Sequence, residues 1–326
     1  MRAYQLPPGY ITRAASMDDV TAATDLFNTC EIAETGEPDY DVEELRGEWA
    51  ECDLPETVEL VVAPEGTLAG SMTLTHRDHV VVEADGYVHP NDSGLGIGAY
   101  LVRRSEERAK GHVALAPPAA KVVIRNFVNA LNPDACRLLE GEGYLPIRHF
   151  WRMAITHVSL PEPPCWPEGF AVPTCVSGQD EPAIHAAIEE AFQDHWSMGP
   201  TSYDEWLRRN ATEGFDPSLW FQVIDLASGV IAAAAVCRLY GEIGWIRFLG
   251  VRRPWRRRGL GEALLRHAFG EFYRRGVKTV ALGVDAENPS GASRLYERVG
   301  MTTVRRHVTY EKVLREGENW DEFRGS

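Results

Sequence analysis

The sequence predicts a mixed α/β protein made of two tandem domains, each with a central, mostly antiparallel sheet flanked by helices. Three observations predict it. The chain repeats itself at an interval of about 160 residues, each copy being domain-sized. A proline-rich stretch separates the copies. Within each copy, strand-like and helix-like apolar patterns alternate.

The repeat is read directly from the residues. "GYITRAASMDDVTAATDLF" (9–27) resembles "GFAVPTCVSGQDEPAIHAAIEEAF" (169–192). Each is a short strand-like run, an acidic turn and a helical pattern. Gly96 and Gly98 match Gly259 and Gly261, and "NPDACRLLEGEGY" (132–144) matches "NPSGASRLYERVGM" (288–301). Between the copies, "SLPEPPCWPEG" (159–169) carries four prolines, which exclude helix and sheet interior and leave an extended linker. The expected domains are therefore 1–158 and 169–326, with a linker at 159–168.

In the second copy, apolar spacing predicts a helix over Ala183–Phe192. "WFQVIDLASGVIAAAAVCRLYGEIGWIRFLGV" (220–251) reads as successive strands turning at Ser228-Gly229 and near Gly241. A long amphipathic helix is expected from Gly261 to Arg275. "TVALGVDAE" (279–287) is apolar enough to be a buried strand. Asn288 and Pro289 open another helix, stopped by Gly300, and "VRRHVTYEKVL" closes as a strand.

Composition limits the function. Of 326 residues, 44% are hydrophobic and 25% charged, as in ordinary soluble proteins. A net charge of −15 argues against nucleic-acid binding. The six cysteines form no C-x-x-C pair and have no histidines clustered beside them, so neither a metal site nor a disulfide framework is expected, and a reducing cytoplasm fits. The first residues lack a signal-peptide core, and no apolar run is long enough for a membrane span. A small-molecule partner, without membrane or nucleic acid, is expected, in a monomer or homodimer.

One loop gathers charge in this acidic chain. "VRRPWRRRGLGEALL" places Arg252, Arg253, Arg256, Arg257 and Arg258 between a strand ending at Val251 and a helix starting near Gly259. Free amides at a helix N-terminus, the helix dipole and arginine donors make an anion site, and glycines let the anion approach. The competing reading is a solvated arginine turn. The spacing is neither the dinucleotide G-x-G-x-x-G nor a P-loop, which would want G-K-[ST].

A second motif follows. Asn288, Ala292, Leu295, Tyr296, Gly300 and Met301 fit N-x-x-x-A-x-x-L-Y-x-x-x-G-[F/M], after R-x-x-G-x-G at Arg256–Gly261. With these motifs the second half resembles the GCN5-related N-acetyltransferase (GNAT) superfamily, and the first half does so more faintly. The resemblance implies an N-acetyltransferase using acetyl-CoA, its pyrophosphate held by Arg256, Arg257, Arg258, Gly259, Leu260, Gly261 and Glu262. It places the pantetheine along Leu249, Gly250 and Val251, with Asn288 and Ser293 near that arm, on a strand that splays from its neighbour. Backbone N–H at Leu249 or Val251 would polarise the thioester carbonyl. Tyr296 falls at the general-acid position, although an aromatic helix residue equally packs on a sheet.

The general base stays open. No carboxylate occupies the middle of "GEIGWIRFLGV", leaving Glu242 at its start, Asp194 and His195, with Asp285 and Glu287 as further candidates. Asp194, His195 and Trp196 sit where the family's acceptor-binding segment lies, or are ordinary packing.

The first half keeps Gly94, Gly96 and Gly98 after Val88, but Ser93 stands at the arginine position and Leu139 replaces the tyrosine. Leucine cannot donate a proton. That half is expected to be degenerate: a scaffold, a pocket wall, or a second CoA site at Val88, Gly94, Gly96 and Gly98. The expected reaction is acetyl transfer to a primary amine of a small molecule. Protein N-acetylation and a non-catalytic acyl-CoA sensor are the alternatives.

Overall fold

A computed structural model describes residues 5–193, 195–196, 201–211, 215–288 and 291–319. In chain order the first repeat runs β1 (Ile11–Ala14), α1 (Val20–Thr35), α2 (Val42–Ala50), α3 (Leu54–Thr57), β2 (Val58–Val62), β3 (Leu68–Arg77), β4 (Val81–Val88), α4 (Ile97–Val113), β5 (Val122–Asn129), α5 (Pro133–Gly141) and β6 (Leu145–Thr156). The second runs β7 (Phe170–Ala171), α6 (Glu181–Phe192), α7 (Tyr203–Asn210), β8 (Trp220–Asp225), β9 (Val230–Tyr240), β10 (Ile243–Val251), α8 (Leu260–Arg274), β11 (Thr279–Asp285), α9 (Ala292–Arg298) and β12 (Thr302–Arg315). The mixed α/β class follows, with sheets flanked by helices. None of the described helices is long and apolar enough to cross a membrane.

Packing divides the chain into two compact units: Met1–His149 with Arg306–Ser326, and Phe150–Arg305. In the first unit the strand order is β1-β2-β3-β4-β5-β12, the last pair antiparallel from His307↔Asn129 to Arg315↔Val122. In the second it is β6-β11-β10-β9-β8-β7, with Phe150–Thr156 of β6 antiparallel to β11. Each unit thus takes its closing strand from the other repeat. The boundary at 159–168 is a proposal about the duplicated sequence unit, whereas the packed units divide elsewhere. Residues 160–167 form neither helix nor strand. They lie against α8, where Glu162 pairs with Arg266 at 2.5 Å and Trp166 meets His267.

The second unit's core explains its helices. Ala232–Ala235 of β9 are fully buried, as a central strand needs. Leu260, Ala263, Leu264, Leu265, Ala268, Phe269 and Phe272 line the inner face of α8 at helical spacing. Gly244 lets Phe272 lie flat on the sheet, since a Cβ there would stand 2.6 Å from its ring.

Both units contain a fork. In the second, β10 and β11 run parallel and pair from Ile243↔Thr279 to Ile246↔Leu282, then separate. At that point β10 carries a bulge against β9: Ile246 faces Cys237, Phe248 faces Val236, and Arg247 is the extra residue. From Phe248 to Val251, β10 stays paired to β9, leaving its other edge open. In the first unit, β4 pairs with β5 only from Val81↔Val123 to Glu83↔Arg125. There β4 pairs with β3 from Gly70↔Val88 to Arg77↔Val81 without a bulge.

Candidate functional site

At the open end of the second fork the chain leaves β10, makes a short 3-10 turn (Arg253–Trp255) and enters α8. Gly259 is left-handed (φ +84) as the residue before the helix, and Arg257 is left-handed as well (φ +64). The first bond into the helix is Ala263 N–H to Gly259 O, at 3.0 Å. Among the described residues, no backbone carbonyl accepts from the amides of Arg257 to Glu262. Those amides and the start of a fifteen-residue helix have the backbone arrangement that an anion cradle needs. Gly261 serves closeness. A Cβ there would sit 3.1 Å from Leu295 Cδ2, 3.6 Å from Val251 Cγ2 and 3.9 Å from Leu249 Cδ2. One small residue thus lets the end of β10, the start of α8 and helix α9 converge.

Four of the five loop arginines divide into two groups. Arg252 is ion-paired to Glu190 at 2.5 Å, donates to Ile231 O and stacks on Trp255. Arg256 donates to Val251 O and to Ala191 O, both at 3.1 Å, tying the end of β10 to the C-terminal turn of α6. These two hold the loop in shape. Arg257 and Arg258 are exposed; the Asp225 carboxyl is held low chiefly by the Ser228 hydroxyl, with a smaller contribution from the charge of Arg258. Glu262 is engaged by Arg266 at 3.0 Å.

Tyr296 lies on α9, 8% exposed, in the cluster that Leu249 and Val251 pack against. Burial alone pushes its phenol up to about 12. It is therefore a neutral, proton-bearing group at physiological pH. Ser293 is half-buried on the same helix, one turn earlier. Asn288 follows the end of β11, its N–H donating to Asp285 O at 3.1 Å. Asp285 is buried (2% exposed) and accepts from Glu287 N–H.

Glu242 stands apart from these residues. It is exposed in the turn before β10, six residues or roughly 20 Å along the strand from Phe248. His195 and Trp196 follow α6, with the His195 ring against Phe192 and Trp196 6.0 Å from Phe150. Phe150 pairs with Asp285 at the end of β11, so this segment borders the open end of the fork. Asp194 lies outside the described residues.

The first unit repeats the cradle in backbone. Ser93 (φ −62, ψ 145) matches Arg256 (φ −61, ψ 155), and Gly94 (φ +78) and Gly96 (φ +88) match Arg257 and Gly259. Gly98 meets Leu138 Cδ2 at 3.2 Å and Val88 Cγ2 at 3.8 Å, as Gly261 meets Leu295 and Val251. The chemistry differs. Asp92 stands in place of Trp255 and is bonded by the Tyr10 hydroxyl at 2.5 Å. Leu139 (2% exposed) fills the tyrosine position, and Asn132 is engaged by Glu34 while capping α5. Sequence reasoning passed over Asp85, a carboxylate on β4 just beyond the last pair with β5. It is open to solvent yet crowded by protein, and burial and Glu83 raise it to about 6. Tyr40 and Tyr87, hydroxyls 2.6 Å apart, lie near it. The signal is an acid in the middle of a strand of the first copy.

A splayed parallel strand pair, an amide cradle opening a helix and a buried tyrosine beside it define an acyl-CoA-dependent acetyltransferase, and the residues present fit that cosubstrate. The chain belongs to the acetyltransferase (GNAT) family, which residues 21–140 and 182–301 each match. It is a tandem N-acetyltransferase whose acetyl donor is acetyl-CoA. It is 30% identical over 232 residues to a mycothiol acetyltransferase of Thermobispora bispora, covering 69% of this chain and 74% of that one. A solved GCN5-related N-acetyltransferase from Sphaerobacter thermophilus aligns with TM-score 0.88 and 40% identity, over 97% of this chain and 99% of the other. A tandem GNAT protein of the clavulanic acid biosynthesis pathway shares the fold at TM-score 0.74 and 16% identity, over 95% and 100%.

Proposed function

We propose that the second unit transfers an acetyl group from acetyl-CoA to a primary amine of a small molecule by direct attack, and that the first unit does not catalyse. One observation carries this reading. The second fork has a buried tyrosine where the first has leucine, although the two cradles share a backbone.

Acetyl-CoA, when bound, supplies a thioester carbonyl to the incoming amine. Its pyrophosphate belongs on the amides of Arg257 to Glu262, with Arg257 and Arg258 adding charge. The open edge of β10, Phe248 to Val251, offers main-chain partners to an extended pantetheine arm, as an added strand would use. A backbone N–H of Leu249 or Val251 donates to the carbonyl oxygen as charge develops there. Tyr296 holds a proton on its Oη and releases it to the departing sulfur. The strand from Ile243 to Val251 carries no carboxylate, so the amine arrives neutral or gives its proton to water. His195 and Trp196 border the acceptor's entrance.

The similarity to mycothiol acetyltransferases favours one acceptor type, the free amine of the unacetylated mycothiol precursor. CoA release with that precursor, and with sugar, polyamine and amino-acid amines, tests both levels. Turnover on any of them that Tyr296→Phe strongly reduces supports the reaction. Acetyl-CoA binding without turnover on any amine would make the protein a sensor.

A further inference from the structure

Three histidines of the first unit converge at one point. His76 is the penultimate residue of β3, His79 sits in the β3–β4 turn, and His112 lies in the last turn of α4. The turn is a tight one with two left-handed residues, Asp78 (φ +49) and His79 (φ +60), closed by Val80 N–H to Arg77 O at 3.0 Å. It folds the His79 ring back onto His76, stacked with centroids 4.0 Å apart, and both rings meet His112 at 4.6 and 5.0 Å. Nδ1 of His79 is 2.7 Å from Nδ1 of His112, and Nδ1 of His76 accepts the His79 N–H at 3.3 Å. One ligating nitrogen from each ring lies within 4.8 Å of the others.

We propose that His76, His79 and His112 bind one divalent transition-metal ion of the zinc class. Three imidazoles are the donor set such ions prefer. A tetrahedral ion with Zn–N near 2.05 Å needs ligating nitrogens about 3.3 Å apart, a spacing reached by small ring rotations from that observed. The ion lies beside the carbonyl end of a seventeen-residue helix, where the dipole favours positive charge. Arg108, whose charge is felt at His112, is drawn toward Glu59 at 3.6 Å. The fourth position is left to water. Bound there, the ion clips the β3–β4 turn to the end of α4, independently of the acetyl-transfer site.

The test uses full-length protein without a histidine tag, stripped by chelator and titrated calorimetrically with Zn²⁺. Co²⁺ then reports geometry by its visible spectrum. Saturable one-to-one binding is expected, with a tetrahedral-type Co²⁺ spectrum. His79→Ala and His112→Ala should each weaken Zn²⁺ on the order of tenfold or more while acetyl-CoA binding stays unchanged, which shows the variants are folded. The melting temperature of the wild type, but not of the variants, should rise with Zn²⁺. Absence of saturable binding, or binding that survives His76→Ala/His79→Ala/His112→Ala, overturns the proposal.

Discussion

The acid role proposed for Tyr296 rests on its burial, the one influence acting on its phenol. A phenol raised to about 12 keeps its proton throughout the range in which an amine becomes neutral. The sign is plain: deprotonation begins only near that value, so the acid remains available as pH rises from 6 to about 10. The rate with acceptor should therefore climb with the amine's own deprotonation and reach a plateau. An alkaline fall between about pH 8 and 9 that disappears in Tyr296→Phe would falsify the acid role. The arginines also separate by function. Arg256→Ala removes two charge-assisted bonds to carbonyls and should cost about 1.5–3 kcal/mol of stability along with acetyl-CoA affinity. Arg257→Ala/Arg258→Ala should leave the melting temperature in place and lower acetyl-CoA affinity in a salt-dependent way. Equal affinity at low salt would remove these residues from the phosphate site. The sequence displayed five arginines but not this division. Arg256 faces Ala191, 65 residues earlier, and a contact of that span leaves no trace in local pattern.

At the scale of elements, the cradle and the fork are a strand end and a helix start held at fixed angles. Gly259→Ala forces a Cβ into a left-handed residue, at about 1–2 kcal/mol, and should weaken acetyl-CoA binding more than it lowers the melting temperature. Gly261→Val pushes on Leu295 beside Tyr296 and should depress kcat as well. Kinetics and calorimetry on the two variants distinguish a shape defect from a general loss of fold. The glycines, α8 and β11 were legible, since spacing and apolar period specify them. The bulge at Arg247 was not. An extra residue in one strand is defined by its partner's register, and the local residues look like ordinary strand. The histidine triad was hidden for a related reason: His79 and His112 are 33 residues apart and meet only through packing.

At the scale of the whole molecule, duplication and divergence organise the account. The repeat was legible from matched glycines and Asn-Pro motifs. The origin of each unit's closing strand was not, because the pattern of β6 or β12 says strand without saying whose. The first unit's cradle retains its backbone but has Ser93, Gly94 and Leu95 at the positions of Arg256, Arg257 and Arg258, with Asp92 beside them. It should take acetyl-CoA more weakly than the second, so a calorimetric titration should show the second unit filling first. Asp85 in the first fork is raised to about 6. The fold therefore favours its protonated form, and it disfavours folding increasingly as pH rises from the unfolded value near 3.9 toward 6. Asp85→Asn should raise the melting temperature at pH 7.5 more than at pH 4.5. The opposite order would show the carboxylate stabilised by a partner.

The most direct test of the assignment of catalysis to the second unit is steady-state CoA release by Tyr296→Phe, with acetyl-CoA affinity measured in parallel on the best amine. The account predicts kcat lowered by about 10²-fold or more with the acetyl-CoA Kd within about twofold of the unaltered protein. An unchanged kcat, or a loss explained wholly by weaker acetyl-CoA binding, would contradict it.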